Sequence, residues 1–199
     1  MSGLLAIWHR VAPAQDAELN AWYEDEHLAE RLSVPGFRTA RRYRATDDPL
    51  AYCALYELDA ADVLRSPAYL ARLASPTPRT RAIMPAFLDV TRAACRIAYD
   101  SEPGGAPRPW LAILEPQRVD MAALHALAEA ARVRLALPDA DATGGETAEQ
   151  RLRPAADQLP AQSVLVEADH RDVTEALAAL AGSALGGVAT LYACIAARP

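Results

Sequence analysis

The sequence predicts an α+β fold in which two ferredoxin-like βαββαβ repeats pack sheet to sheet as an internal, pseudo-dimeric α/β barrel. Strand-like and helix-like segments follow the order β-α-β-β-α-β over residues 1–100, which is the split βαβ pattern. A linker rich in proline and glycine, residues 101–109, precedes a second series of segments at residues 110–199. A ferredoxin-like sheet carries helices on one face, so two such sheets facing each other would bury both bare faces.

Two local similarities between the halves support a tandem repeat. The apolar runs that begin at Leu4 and Trp110 share Leu-Ala-Ile, and each would be the first strand of its half. Thr91-Arg-Ala-Ala-Cys95 and Thr190-Leu-Tyr-Ala-Cys194 share Thr-x-x-Ala-Cys in the last strand. Chance similarity in an alanine-rich chain is the alternative, but the element order and two separate matches favour duplication.

The composition is that of an ordinary globular protein, with 199 residues of which 52% are hydrophobic and 23% charged. The formal net charge of -6 argues against a nucleic-acid partner, which would need clustered positive charge. No apolar run approaches the roughly 20 residues that span a bilayer, and the N-terminal segment lacks the pattern of a signal peptide. The three cysteines form no CxxC pair, as is typical of reduced thiols. We therefore expect a cytoplasmic protein without a membrane partner.

Each half divides into elements by its periodicity and its turn residues. Asp16 begins a helix that Ser33-Val-Pro-Gly36 ends, because proline disfavours helical geometry before it and glycine can adopt a positive φ. The other first-half helix is expected at residues 59–73, interrupted near Ser66-Pro67. First-half strands are predicted at residues 3–11, 37–45, 50–58 and 87–99. Second-half strands are predicted at residues 110–115, 151–155, 163–168 and 187–197, with helices at 119–137 and 169–180 and a loop at 138–145.

The first predicted helix concentrates the chemistry of the chain. Two aromatic rings, a carboxylate and an imidazole lie within little more than one turn, as Trp22, Tyr23, Glu26 and His27. At about 100° per residue, Trp22, Tyr23 and Glu26 share one arc of an α-helix, with His27 at its edge. A face that mixes aromatic and acidic side chains suits the wall of a pocket better than a solvent face.

His27 and Glu26 are the candidate catalytic residues. An imidazole titrates near neutral pH, so His27 could be a general acid or base. The alternative is that His27 holds the helix to the following loop by a hydrogen bond. Glu26 could set the protonation state of His27 or hold a buried positive charge, or it could simply be one acid on an acidic helix.

Five further side chains are candidates for substrate binding. Trp22 and Tyr23 could form a substrate wall, although core packing is the commoner role of such rings. Arg42 could hold an anionic substrate through a bidentate contact, but an exposed edge-strand face, charged against aggregation, is the simpler interpretation. Tyr56 could donate a phenolic hydrogen bond or only pack. His9, at the end of the first strand, is a second imidazole candidate.

Several signals of cofactor or metal binding are absent from the sequence. It contains no glycine-rich phosphate loop, no dinucleotide fingerprint and no GxSxG nucleophile elbow. The four histidines show no metal-ligand spacing. We therefore expect no metal site and no cofactor.

The segment Trp22-Tyr-Glu-Asp-Glu-His27, followed by Val34-Pro-Gly-Phe37 and Arg42-Tyr43, resembles the EthD-like branch of the dimeric α/β-barrel superfamily. The resemblance covers about the first 100 residues, and the second half has neither of the first two motifs. Arg42 and Tyr43 lie on opposite faces of their strand, so they cannot both line one pocket. The resemblance implies a ligand pocket beside the first helix, and relatives that include cofactor-free monooxygenases, muconolactone isomerase-like enzymes and polyketide cyclases.

The resulting functional hypothesis is a cofactor-independent enzyme of isomerase, cyclase or monooxygenase type. Its substrate would be a small aromatic or lactone-like compound, and His27 would transfer a proton. The alternative is a non-catalytic protein that binds a small ligand or has an accessory role. Either way we expect one site per chain, in the first half, and a monomer with an internal pseudo-dimer or a homodimer.

Overall fold

The computed structural model describes residues 2–143, 147–158 and 162–199. Its strands are β1 (Gly3–Val11), β2 (Phe37–Ala45), β3 (Ala51–Leu58), β4 (Phe87–Asp100), β5 (Trp110–Leu114), β6 (Arg132–Pro138), β7 (Ser163–Ala168) and β8 (Ala189–Arg198). They close into one antiparallel barrel in the order β1-β3-β2-β8-β5-β7-β6-β4.

The two halves of the barrel have the same internal order. The first four strands run β4-β1-β3-β2, and the last four run β8-β5-β7-β6, which is the fourth-first-third-second order of a ferredoxin-like sheet in both cases. The halves join through β2 with β8 and through β4 with β6. The predicted fold class is therefore confirmed, while the division of the chain into domains at residues 101–109 stays a prediction.

Helices cover the outside of the barrel. In the first half α1 (Asp16–Trp22) continues through a π-helical segment (Tyr23–His27) into α2 (Leu28–Leu32), and α3 (Pro67–Ala74) and α4 (Pro78–Ile83) precede β4. The second half carries α5 (Met121–Leu127), α6 (Ala140–Thr143) and α7 (Arg171–Leu185). Apolar side chains form three cores: one inside the barrel and one under each set of helices. In the described ranges, no helix has both the length and the apolarity needed to cross a membrane.

The second half differs from its predicted elements. The helix expected over residues 119–137 ends at Leu127, and Arg132–Pro138 is strand β6. The strand predicted at residues 151–155 is part of a 3-10 turn and a bend, and the loop predicted at 138–145 contains α6, with residues 144 and 145 outside the described residues. The prediction was wrong because it extended the helical spacing through Arg132-Val-Arg-Leu-Ala136, where polar and apolar residues alternate with the period of a strand.

The two arginines of β6 and Arg41 of β2 lie inside the barrel. Among the described residues, three carboxylates pair with these three guanidinium groups. Arg41, Arg132 and Arg134 are each no more than 2% exposed. Arg41 donates from Nη1 to Glu167 Oε1 at 2.9 Å and from Nη2 to Glu57 Oε1 at 2.8 Å. Arg134 Nη1 donates to the same Glu57 oxygen at 3.0 Å, and Arg132 Nη2 donates to Asp100 Oδ2 at 2.8 Å. Carboxylates from three strands thus allow the barrel to bury charge.

The turn after α2 depends on a glycine, as predicted. Gly36 has a φ of 95°, and a β-carbon added there would lie 2.5 Å from Val63 Cγ2. We expect Gly36→Ala to lower the free energy of unfolding by about 1–3 kcal/mol, because it adds left-handed strain and a clash. Urea denaturation would measure the loss. The matched control is Gly104→Ala, where φ is 76° but no atom lies within 4 Å. An equal loss in both variants would rule out the contribution from Val63.

Candidate functional site

The π-helical segment determines how the first helix presents its side chains. The backbone N–H of Leu28 donates to the carbonyl of Tyr23, five residues back, where an α-helix would use the carbonyl four residues back. In an α-helix, residues five apart point roughly 140° away from each other. The wider turn brings Trp22 and His27 together instead, with ring centroids 4.0 Å apart. His27 therefore lies on the same buried face as the aromatic residues.

Three aromatic rings surround the imidazole of His27. Their centroids lie 4.0 Å away for Trp22, 5.1 Å for Tyr23 and 6.4 Å for Tyr56. Trp22, Tyr23 and Tyr56 are at most 1% exposed, and His27 is 4% exposed. Among the described residues, neither His27 Nδ1 nor the hydroxyl of Tyr56 has a hydrogen-bond partner. The cluster thus leaves polar atoms of two rings free inside an apolar shell.

His9 lies on the other side of Tyr23. Its ring stacks on Tyr23 at 6.1 Å and on Tyr52 at 5.6 Å, and it lies 4.4 Å from the ring of Phe87. His9 Nδ1 is 3.3 Å from the carbonyl of Arg10, whereas Nε2 has no partner in the described part of the chain. The structure therefore brings His9, Tyr23 and His27 into one row of rings.

Arg42 also belongs to this cluster, and the prediction of an exposed edge-strand face is wrong for this residue. Because β2 pairs with β3 on one side and β8 on the other, it has no free edge, and Arg42 is 1% exposed. Its Cζ lies 3.8 Å from the ring centroid of Tyr23 and 4.9 Å from that of Tyr52. Nη1 donates to Asn20 Oδ1 at 2.9 Å, and no carboxylate pairs with Arg42 within the described ranges. Tyr43 points the other way, into the barrel.

Glu26 is not brought to His27. Its Oε1 accepts hydrogen bonds from the hydroxyls of Thr77 at 2.5 Å and Thr80 at 3.1 Å. Thr80 Oγ1 also accepts from Trp22 Nε1 at 3.2 Å. The half-buried carboxylate therefore links the π-helical segment to the start of α4.

Burial and nearby cations keep both imidazoles neutral at pH 7. Burial, followed by the charges of Arg42 and Arg153, lowers the pKa of His9 to about 3. Burial, followed by the charges of Arg31, Arg42 and Arg153, lowers the pKa of His27 well below its usual value. Burial raises the pKa of the Tyr56 hydroxyl well above its usual value. The site thus combines uncharged imidazoles with a positive potential.

A small cavity beside His27 is closed by residues from both halves of the chain. Its volume is about 20 Å³, which is room for a single water molecule. The sequence predicted a site within residues 1–100, but the lining also includes residues from the connection between β6 and β7. The lining residues that the prediction missed include Arg31, Tyr69, Phe87, Arg92, Glu149 and Arg153. No motif pointed to Glu149 or Arg153, because the family resemblance ends near residue 100.

The fold is shared with solved structures, although no protein-family model and no curated protein matches the chain. An anthrone oxidase-like protein has a TM-score of 0.56 at 11% identity, covering 99% of this chain and 92% of its own. A candidate monooxygenase from Lactobacillus acidophilus NCFM has a TM-score of 0.58 at 6% identity, and the match covers 100% of this chain and 96% of that protein. At such identities the similarity shows the shared dimeric α/β-barrel fold.

A third structure, a heme-binding protein from Thermus thermophilus, has a TM-score of 0.51 at 9% identity, covering 98% of this chain and 91% of its own. The histidines of the present chain do not fit an axial ligand of heme. His27 adjoins a space for one water molecule, and His9 is packed among aromatic rings. His125 and His170 are exposed on the surface. A second-half cavity of about 480 Å³ between α7 and β8 has no histidine, cysteine or methionine among its described lining residues.

Proposed function

We propose that the chain is a cytoplasmic, tandem-repeat member of the EthD-like branch and a cofactor-independent enzyme. Its substrate is an aromatic or lactone-like compound, from which His27 removes a proton. The observation that carries this proposal is the unpartnered Nδ1 of His27, held neutral within a buried shell of aromatic rings in the described part of the chain. A neutral imidazole with a free nitrogen can accept a proton, and the anion formed on the substrate offsets the burial and the cations that disfavour the imidazolium form.

The proposed step leaves a negative charge on the substrate. The C–H or O–H bond of the substrate breaks, its proton moves to His27 Nδ1, and the electron pair stays on the substrate. Arg31 and Arg42, which already disfavour the imidazolium form of His27, stabilise the anion by the same positive potential. Returning the proton to another atom gives an isomerase, and attack of the anion on an electrophilic carbon of the same molecule gives a cyclase. Reaction of the anion with dioxygen gives a monooxygenase, in which one oxygen atom enters the product and the other leaves as water with two hydrogens of the substrate.

The remaining candidate residues support this step from different positions. Trp22 and Tyr23 contact the imidazole and form the walls, while the free Tyr56 hydroxyl is available to a ligand. Glu26 acts through the position of α4, since its hydrogen bonds go to Thr77 and Thr80. His9 and Arg42 contact the ring of Tyr23, and the charge of Arg42 adds to the positive potential at His27.

A non-catalytic ligand-binding role is the second candidate function. The observation that favours it is that, among the described residues, no carboxylate orients the imidazole of His27, whereas a general base commonly has such a partner.

Substitution of His27 tests the enzyme proposal. A thermal-shift screen with aromatic acids, lactones and polyketide-like compounds, followed by product analysis, would identify a substrate. We then expect His27→Ala to lower kcat/KM about 100-fold or more while the protein still folds, because proton transfer contributes that much to many enzymes. The control is His125→Ala, which removes an exposed imidazole on α5. Full activity of His27→Ala would refute the mechanism, and binding without conversion would favour the ligand-binding role.

A further inference from the structure

The connection between β6 and β7 places a carboxylate against the first helix. Glu149 Oε2 accepts a hydrogen bond from Arg31 Nη2, and the two residues are 4% and 3% exposed. Within the described part of the chain, Arg31 Nη1 and Glu149 Oε1 have no hydrogen-bond partner. An arginine can hold a carboxylate with two parallel hydrogen bonds, and this pair makes one. Burying two charged groups costs free energy, and this pair recovers little of it because each group has a polar atom without a partner in the described part of the chain.

The segment that carries Glu149 is bonded mainly to itself. Gln150 Nε2 donates to Asp157 Oδ2 at 2.9 Å, and Arg153 Nη1 pairs with the same carboxylate at 2.5 Å. Thr147 and Gln150 exchange two further hydrogen bonds. The segment is anchored to the barrel at Gln158, whose backbone N–H donates to the carbonyl of Val90 at 2.7 Å. The Glu149 side chain can therefore leave Arg31 while the segment stays anchored at Gln158, and its departure loosens the segment from α2.

The surroundings of Arg31 favour a negative ligand. Among the described residues that line the cavity are three arginines, Arg31, Arg92 and Arg153, and one carboxylate, that of Glu149. Arg153 is paired with Asp157, and Arg92, which is 7% exposed, forms no ion pair within the described ranges. When Glu149 leaves, the site keeps an unpaired positive charge on Arg31 and one on Arg92.

The remaining walls suit a flat apolar body. The cavity is also lined by Trp22, Tyr69 and Phe87, together with Leu73 and Met84. Arg31 lies one helical turn after His27, about 6 Å further along the axis. A ring whose carboxylate pairs with Arg31 would therefore extend towards the imidazole.

We propose that the site takes an aromatic carboxylate, and that Glu149 occupies the position of the carboxylate group of this ligand until the ligand displaces it from Arg31. This inference rests on the proposed function and specifies its substrate class. It also accounts for the cavity size, since about 20 Å³ admits no aromatic ring while Glu149 and Gln150 remain in place. The ligand gains two hydrogen bonds to Arg31 where Glu149 makes one.

Binding of benzoate to the folded chain, measured by isothermal titration calorimetry, tests the proposal. We expect Glu149→Gln to lower the dissociation constant of benzoate at least tenfold, because it removes the competing carboxylate and keeps its shape. The neutral isostere benzamide should show no such gain. The control is Glu30→Gln, which removes the same charge from α2 but frees Arg72, which is not in the cavity lining. No gain in Glu149→Gln, or an equal gain in Glu30→Gln, would overturn the proposal.

A measurement on the unmodified protein covers the case in which Glu149→Gln does not fold. Saturating benzoate should speed the amide hydrogen exchange of residues 147–153, because the ligand separates Glu149 from Arg31. Unchanged or stronger protection of this segment would contradict displacement. These readouts need no turnover, so they can be repeated in His27→Ala. If the protein binds benzoate but His27→Ala keeps full turnover, the proposed proton transfer is refuted and the ligand class is not. If His27→Ala is inactive but the parent protein does not bind benzoate, the ligand class is refuted and the proton transfer is not.

Discussion

Replacing Glu167 by alanine should lower the free energy of unfolding by about 3–5 kcal/mol, which is the usual effect of removing one partner of a buried ion pair. Glu167 is 0% exposed, and its Oε1 accepts from Arg41 Nη1 at 2.9 Å. Arg134 Nη2 lies 3.1 Å from Oε2 of the same carboxylate. Without Glu167, three arginines would share Glu57 and Asp100 inside the barrel. Chemical denaturation followed by circular dichroism would measure the change.

A second glutamate in the same half provides the matched control. Glu175 pairs with Arg171 at 2.8 Å on the surface of α7, and its side chain is 50% exposed. Glu175→Ala should change the free energy of unfolding by less than about 1 kcal/mol, because water already solvates both charges. A loss of similar size in both variants would show that burial of the barrel charges does not determine the effect.

The second large effect is a loss of stability as the pH falls below 6.5. His9 has a pKa of about 3 in the folded chain and should have its ordinary value near 6.5 when unfolded. Between these values the unfolded state binds a proton that the folded state does not, so stability decreases with falling pH. The contribution of His9 should decrease by about 1.4 kcal/mol per pH unit and by about 5 kcal/mol in total. His27, whose pKa is also lowered, acts in the same direction.

The variant His9→Phe isolates this contribution. It keeps an aromatic ring against Tyr23 and Phe87 but has no group to protonate. Unfolding free energies measured from pH 7 to pH 4 should decrease less steeply in the variant than in the parent. The control His125→Phe alters an exposed position on α5 and should leave the slope unchanged. Equal slopes in the parent and His9→Phe would contradict the neutral, buried state of His9.

The first half could be predicted from the sequence because its signals are local. Proline and glycine at 35 and 36 end the first helix in the structure as in the prediction, and Ser66 caps α3 where an interruption was expected. The alternation of β2 correctly separated Arg41 and Tyr43 from Arg42. In β6 the prediction failed because it extended a helix through Arg132 and Arg134, which alternate along a strand and are buried against carboxylates from β3 and β7.

In the candidate site, too, local sequence signals identified the residues but not the contacts between them. Its aromatic and imidazole residues were recognised by their density in a single helix, but the prediction assumed α-helical geometry. The π-helical segment changed which of them meet: it brought His27 to Trp22, while the hydroxyls at the start of α4 hold Glu26 away. Trp22 and Tyr23 pack in one core with sheet residues such as Ile7 and Tyr56, and a helical projection of the sequence does not contain these contacts.

In the first half, the order of the strands and main helices and the end of the first helix could be established from the chain alone, since each depends on neighbours a few positions apart. The tertiary structure alone decided that Arg42 is buried, that the barrel interior is charged, and that Glu149 closes the site against Arg31. These three features join residues that are far apart in the chain. Arg31 and Glu149 are 118 positions apart, and their pairing exists only because the barrel brings the two halves together.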